Sequence, residues 1–430
     1  MVRLLNTADA GFAEAFARVL ADRNEEVADV AATVRGILER VRKEGDAALH
    51  ELTSRFDRFD SRKMGLAVSR EEIEAARARV PADVMDALKL AAERIRAYHE
   101  RQMPDDELWT DETGTRLGHR WRPVSAAGLY VPGGLAAYPS SVLMNAIPAR
   151  VAGVRRLVMA VPAPDGLIND LVLAAADLAG VDEVWRIGGA QAIAALAFGT
   201  ESIRPVDIIV GPGNAYVAEA KRQVFGRVGI DMIAGPSEVL VIADETARPD
   251  WVAADLLAQA EHDTAAQAIL LTPNGNLAEA VIREVERQLE DLPRADIAGT
   301  SWRRHGAVIV CRDLEEAARL SDEVAPEHLE LAVADPEALM EKITHAGAIF
   351  LGHYTPEAAG DYVAGPNHVL PTSRSARFSS GLNVLSFMKR TTVLGCTPES
   401  LAAIGPAAVR LAEVEGLEAH ARSVRWRLRG

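Results

Sequence analysis

The sequence predicts an α/β protein made of two Rossmann-like units with parallel sheets, preceded by an N-terminal helical segment and followed by a small C-terminal segment. Three observations lead there. Short apolar runs alternate with helical stretches from Arg155 onward, Gly/Pro-rich loops follow the runs, and a second alternation of the same kind succeeds the first. The chain is 49% hydrophobic and 25% charged, as folded domains are. Its 430 residues suffice for about two to four domains at roughly 100–200 residues each. A formal net charge of −15, from 47 basic and 62 acidic side chains, argues against a nucleic-acid binder or a polybasic membrane-surface protein.

In the first hundred residues apolar positions recur at helical spacing in Phe12 to Leu20, Val30 to Val41 and Val84 to Ile95, with charges on the opposite face. These are packing helices, and Arg35, Arg40 and Glu44 read as their solvated faces. The stretch from Pro123 to Ala149 is uncharged, but Gly128, Pro132, Gly133, Gly134, Pro139 and Pro148 interrupt it, so a loop is expected there rather than a membrane span. Strands follow at Leu157 to Val161, Val184 to Ile187, Val206 to Val210 and Val239 to Ala243, with helices at Leu167 to Leu178, Ala190 to Phe198 and Tyr216 to Val224 between them. The second alternation places strands at Ala268 to Leu271, Ala307 to Cys311 and Ala348 to Leu351, and helices at Leu277 to Leu289, Leu314 to Leu320 and Pro336 to Thr344. At the end, Val424-Arg425-Trp426-Arg427-Leu428-Arg429 alternates apolar and basic residues with period two, which predicts a half-buried strand.

Candidate chemistry begins in the loops. Pro162-Ala163-Pro164, Gly188-Gly189-Ala190-Gln191 and Gly211-Pro212-Gly213-Asn214 fall at the carboxyl edge of one sheet, where α/β folds take ligands. No third glycine completes a dinucleotide fingerprint, and no acid at the neighbouring strand ends awaits a ribose. The loops therefore read either as tight turns capping helices or as a pyrophosphate cradle at helix N-termini. In Asp255 to His262 a helical reading puts Gln259 and His262, three apart, on one face, a helix surface or a pair of metal ligands. Glu327-His328 follows Pro326 in an expected loop, either an acidic turn or a carboxylate and imidazole for successive proton transfers. With Asp361 and His420, the Gln/His/Asp/His set gives a divalent cation one formal negative charge and leaves it a net Lewis acid.

The chain resembles histidinol dehydrogenase over nearly its whole length. The matching segments are Gly128 to Gly134, Gly188 to Ala192, Gly211 to Val217, Ala234 to Glu238, Gln259 to His262, Ala325 to His328, Gly365 to Thr372 and Glu415 to His420, in family order. The resemblance implies oxidation of L-histidinol through the aldehyde to L-histidine, with two NAD and one water. It implies zinc held by Gln259, His262, Asp361 and His420, and NAD contacts at Tyr130, Gln191 and Asn214. Substrate contacts are implied at Ser237, Gln259, His262, His328, Asp361, Glu415 and His420. Glu327 and His328 match the proton-transfer pair: neutral His328 would take the alcohol proton, and Glu327, as carboxylate, would activate water. His368 is a candidate partner of the metal site. Also implied is a homodimer whose C-terminal segment enters the neighbouring active site. Its domains would be residues 1–28, 29–128 with 242–381, 129–241 carrying the NAD loops, and 382–430.

Two alternatives stand beside this reading, the first keeping the scaffold and the second of a different class. One is a dehydrogenase of another polar alcohol such as a sulfonated diol, which Glu415 would repel; the other is a non-catalytic NAD or metal sensor, with little need for Glu327 and His328. Thiol chemistry at Cys311 or Cys396 is set aside, the first at the end of an apolar strand and the second without a neighbouring base. Two cysteines and no signal-like opening lead to an expected cytoplasmic location.

Overall fold

The computed structural model describes residues 2–21, 30–133, 138–233 and 235–429. Gly134 and Ala234 of the quoted motifs, and residues 22–28 of the expected N-terminal segment, lie outside the described residues. The strands are β1 (Arg3–Asn6), β2 (Glu107–Thr110), β3 (Arg116–Pro123), β4 (Ala126–Tyr130), β5 (Arg156–Val161), β6 (Glu183–Arg186), β7 (Ile208–Val210), β8 (Gly229–Ile230), β9 (Glu238–Ala243), β10 (Gln267–Thr272), β11 (Ala307–Val310), β12 (His328–Ala332), β13 (Ala348–Leu351) and β14 (Met388–Gly395). They form a six-stranded sheet in the order β1-β11-β10-β9-β12-β13, a five-stranded sheet β6-β5-β4-β7-β8, and a three-stranded sheet β14-β3-β2. The first two are parallel throughout and the third is antiparallel.

Both parallel sheets are covered on two faces, as unbroken apolar strands such as those of β9 and β10 require. Along β5, Leu157, Met159 and Val161 turn to a layer containing the helices Ala82–Glu100, Pro139–Val151 and Asp170–Leu178, while Val158 and Ala160 turn to the helices Ala31–Glu44, Gly189–Phe198 and Ala215–Val224. The larger sheet repeats the pattern. Val239 and Val241 of β9 pack with the helices Pro249–Ala260, Gly275–Leu289 and Ala295–His305, and Leu240 and Ile242 with Phe12–Ala21 and Leu314–Val324. Among the described residues, no helix is long and apolar enough to cross a membrane.

The structure departs from the sequence reading in four places. Val239 to Ala243 does not continue the first alternation, because β9 pairs with β10 and β12 at the middle of the other sheet. The expected loop between Pro123 and Ala149 contains buried β4 and the helix Pro139–Val151, with Pro139 in its first turn, where the missing N–H costs nothing. Strands β1 and β12 complete the larger sheet, and a separate antiparallel sheet joins β14 to β2 and β3; the sequence reading contained none of these. The helices within residues 31–100 pack into the two cores that flank the five-stranded sheet.

The fourth departure is the C terminus. Glu418–Arg429 is a helix packed on the helix Pro398–Val414. Val424 and Leu428, four apart, lie over Gly405, where an added Cβ would stand 3.2 and 3.1 Å from their methyl groups. Trp426, the middle apolar residue of the alternation, is 67% exposed, so the apparent period-two face does not exist. Replacing Leu428 with Asp should speed amide hydrogen exchange in residues 418–429 by at least about tenfold and leave 398–414 protected; unchanged exchange would contradict this packing.

Candidate active site

Four loops meet beyond the carboxyl ends of the five-stranded sheet. A Cβ on Gly133 would lie 2.7 Å from the carbonyl oxygen of Pro162, and one on Gly188 would lie 2.6 Å from its ring. At Gly211, φ is +113° and a Cβ would overlap the carbonyl oxygen of Tyr130, so only glycine lets β7 end against β4 there. Tyr130 is buried, its hydroxyl oxygen accepts the Gly189 N–H at 3.1 Å, and burial pushes the phenol up to about 12. Gln191 is buried in the first turn of Gly189–Phe198, and Asn214 caps Ala215–Val224 by accepting from the N–H groups of Tyr216 and Val217 at 3.1 and 3.2 Å. Tyr130, Gln191 and Asn214 thus share one edge, beside two helix N-termini.

The second cluster sits at the opposite kind of edge, the amino ends of β9 and β12. His328 opens β12 opposite Val239, and Glu238 opens β9. The expected loop at Glu327-His328 is therefore a buried strand start. Glu238 holds both residues with its main chain: its N–H donates to Oε2 of Glu327 at 2.9 Å, and its carbonyl accepts Nδ1–H of His328 at 2.9 Å. A carbonyl can only accept, so the proton of a neutral His328 is on Nδ1 and its lone pair is on Nε2. That Nε2 is buried with no hydrogen-bond partner among the described residues and lies 3.9 Å from Oδ1 of Asp361.

Two helices bring in the other groups. Gln259 lies in the last turn of Pro249–Ala260, and His262 sits just past its end, its N–H donating to the Gln259 carbonyl at 3.2 Å, so the pair spans a terminal turn and not the continuous helix expected. Glu357 and Asp361 are four apart on the short helix Glu357–Tyr362, which packs against the Gln259 helix. Gly360 lets that helix press on Phe350, whose ring centre is 5.9 Å from that of His328. One ligand atom each from His328, Glu357 and Asp361 falls within 4.8 Å of the others, an arrangement able to hold a metal ion. Both amide atoms of Gln259 and Oε2 of Glu357 are likewise buried with no hydrogen-bond partner among the described residues. Such orphans cost roughly 1–3 kcal/mol each unless a ligand meets them.

Burial sets the protonation of this cluster. Desolvation pushes His328 and His368 down to about 4, and it lowers His262 at the rim. It raises Glu327 and Glu357 well above the usual carboxylate range, aided by neighbouring carboxylates, and lifts Asp361 to about 7. Glu330, beyond Glu357, accepts the Glu357 N–H at 2.7 Å and is likewise raised by burial and by Asp255. His368 donates from Nδ1 to the Asp361 carbonyl at 3.0 Å, with Nε2 3.5 Å from the Ser141 hydroxyl. Ser237 is half-buried directly before β9.

Glu415 and His420 are exposed in the C-terminal helical pair, and among the described residues no hydrogen bond or ion pair joins either to the cluster. Burial lifts the Cys311 thiol to about 12, which suits an inert core residue, and Cys396 is exposed. Sequence reasoning missed Glu238 and Glu357. The spacing of Glu357 from Asp361 carried a signal; the main-chain role of Glu238 carried none.

The profile of the histidinol dehydrogenase family matches residues 20–428. The chain belongs to the histidinol dehydrogenase family. It is 66% identical over 428 residues to the histidinol dehydrogenase of Cereibacter sphaeroides, covering 100% of this chain and 99% of that one, and 64% identical to that of Ruegeria pomeroyi over the same shares. The crystal structure of histidinol dehydrogenase from Elizabethkingia anophelis, 39% identical, superposes with a TM-score of 0.95 over 100% of this chain and 98% of that one. Membership makes this chain an oxidoreductase of histidine biosynthesis that oxidises histidinol.

The shifts fix how stability responds to pH. A carboxyl raised on folding stabilises the native state fully below its ordinary value, 3.8 for an aspartate, and loses that contribution as pH rises through the folded value, about 6 for Asp255 and about 7 for Asp361. The lowered histidines act in the other sense, their contribution being complete above 6.5 and lost as pH falls towards about 4. Metal-free protein should therefore melt several degrees lower at about pH 8 than at about pH 6.5 in scanning calorimetry. A rise over that interval would contradict the burial of these carboxyls.

Proposed function

We propose that this protein oxidises L-histidinol through L-histidinal to L-histidine, using two NAD and one water, on a zinc ion held by Gln259, His262, Asp361 and His420 of the partner subunit. The observation that carries the reading is a set of buried polar atoms with no hydrogen-bond partner among the described residues: the Gln259 amide, Oε2 of Glu357 and Nε2 of His328, the last 3.9 Å from Oδ1 of Asp361. They fit a cation and a polar substrate, which would return the partners these atoms lack. Tyr130, Gln191 and Asn214 would meet NAD, in a cradle formed by glycines that leave no room for side chains. Ser237, with Glu415 of the partner subunit, would contact the substrate. A cytoplasmic homodimer completes the proposal.

When bound, the zinc supplies positive charge that fixes the nitrogens of histidinol, and the nicotinamide supplies a hydride acceptor. His328 removes the hydroxyl proton through Nε2, its ring held by the bond from Nδ1 to Glu238. Burial keeps the imidazole unprotonated at neutral pH and hence ready as a base. For the second oxidation, Glu327 takes a proton from water while the resulting hydroxyl oxygen adds to the aldehyde carbon. Its raised pKa makes its carboxylate the stronger base, and the N–H of Glu238 steadies one oxygen, leaving the other for the water. His328, protonated in the first step, returns that proton to the former carbonyl oxygen as the hydroxyl adds, which completes the hydrate, and then accepts it again as the second hydride departs to NAD.

The deciding experiment supplies zinc-loaded protein with L-histidinol and NAD and counts NADH per substrate consumed. Two is expected; one, or none, would defeat the reading. Glu327→Gln should leave alcohol oxidation within about threefold while slowing aldehyde oxidation by about a hundredfold or more, measured as separate half-reactions. Equal losses in both would remove Glu327 from water activation.

A further inference from the structure

Beneath the cofactor edge lies an ion pair that the mechanism does not use. Lys221, in the helix Ala215–Val224, and Asp231, just after β8, meet side chain to side chain, with only 3% and 1% of those side chains exposed. Both reach the same residue. Oδ2 of Asp231 accepts the Gly211 N–H at 2.8 Å, and Nζ of Lys221 donates to the Gly211 carbonyl at 3.0 Å. Asp231 is itself steadied by the N–H of Met232, which donates to Oδ1 at 2.7 Å. Gly211 is the residue whose positive φ and missing side chain let the loop close on Tyr130.

The connections form a ring. Gly211 leads through Pro212 and Gly213 to Asn214, Asn214 caps the helix, and the helix returns Lys221 to Gly211. A buried ion pair is an inefficient way to add stability, since apolar side chains of the same volume serve as well or better. What charge adds here is direction: a cation on the carbonyl and an anion on the N–H fix the orientation of the peptide groups flanking Gly211.

We propose that the Lys221–Asp231 pair is a positioning device for the cofactor loop, which sets where Asn214 and the start of its helix stand against Tyr130 and thereby sets affinity for the dinucleotide. The inference rests on the NAD reading above.

The test is the double variant Lys221→Met/Asp231→Asn, which removes both charges while keeping an oxygen for the Gly211 N–H. Titration calorimetry with NAD on the unaltered protein comes first; no binding there would overturn the NAD reading itself, and this inference with it. In the folded double variant the NAD dissociation constant should rise about tenfold or more, while kcat and the KM for L-histidinol at saturating NAD stay within about threefold. An NAD dissociation constant within about twofold of the unaltered protein would overturn the inference. So would an equal rise in the dissociation constant and the histidinol KM, the mark of general loosening. Should the double variant not fold, Asp231→Asn alone is judged by the same split, with about a threefold rise in the dissociation constant expected and an unchanged value overturning the inference.

Discussion

The buried polar cluster hangs on two main-chain hydrogen bonds made by one residue. The N–H of Glu238 holds the carboxyl of Glu327 and its carbonyl holds the imidazole of His328, so these two side chains share one anchor at the start of β9. That strand lies between β10 and β12 in the middle of the larger sheet, where neighbours on both sides resist any shift. The carbonyl bond also selects the tautomer of His328, leaving Nε2 as its basic atom. The side chain of Glu238 extends the anchor by accepting the Ser373 N–H at 2.8 Å, which ties the loop after Thr372 to the same point.

Around that anchor the protein accepts a cost. Carboxyls at Glu327, Glu330, Glu357 and Asp361 are crowded where burial disfavours their charge, and several polar atoms find no partner among the described residues. A well-packed apolar cluster would be more stable, but it could neither coordinate a cation nor move a proton. Local instability of this kind is common where a ligand completes the structure.

Much of the fold was legible because the parallel strands are continuous apolar runs and their helices are amphipathic. Confusion entered where sequence order and spatial order part. β9 follows β8 in the chain but joins the other sheet, and nothing in its composition reports the crossing. The C-terminal alternation misled because Val424 and Leu428 satisfy both periods, and only the exposure of Trp426 separates them. At the site, Gln259 and His262 were visible as a spaced pair, whereas Asp361, about a hundred residues on, had no spacing to tie it to them and was joined to the set by its chemistry and by the resemblance. Glu238 stayed hidden because its work is done by backbone atoms, which every residue has.

The two parallel sheets present their residues of interest at opposite ends. The smaller one places Tyr130 and Asn214 past its carboxyl ends, while the larger one gathers Glu238, Glu327 and His328 at its amino ends. The carboxyl rim of the larger sheet, including the turn from Pro273 to Asn276 beside Glu245, lies at the far end of the strands from that cluster. Evolution or an engineer could graft an epitope, a tether or a whole extra module onto that turn and leave catalysis undisturbed.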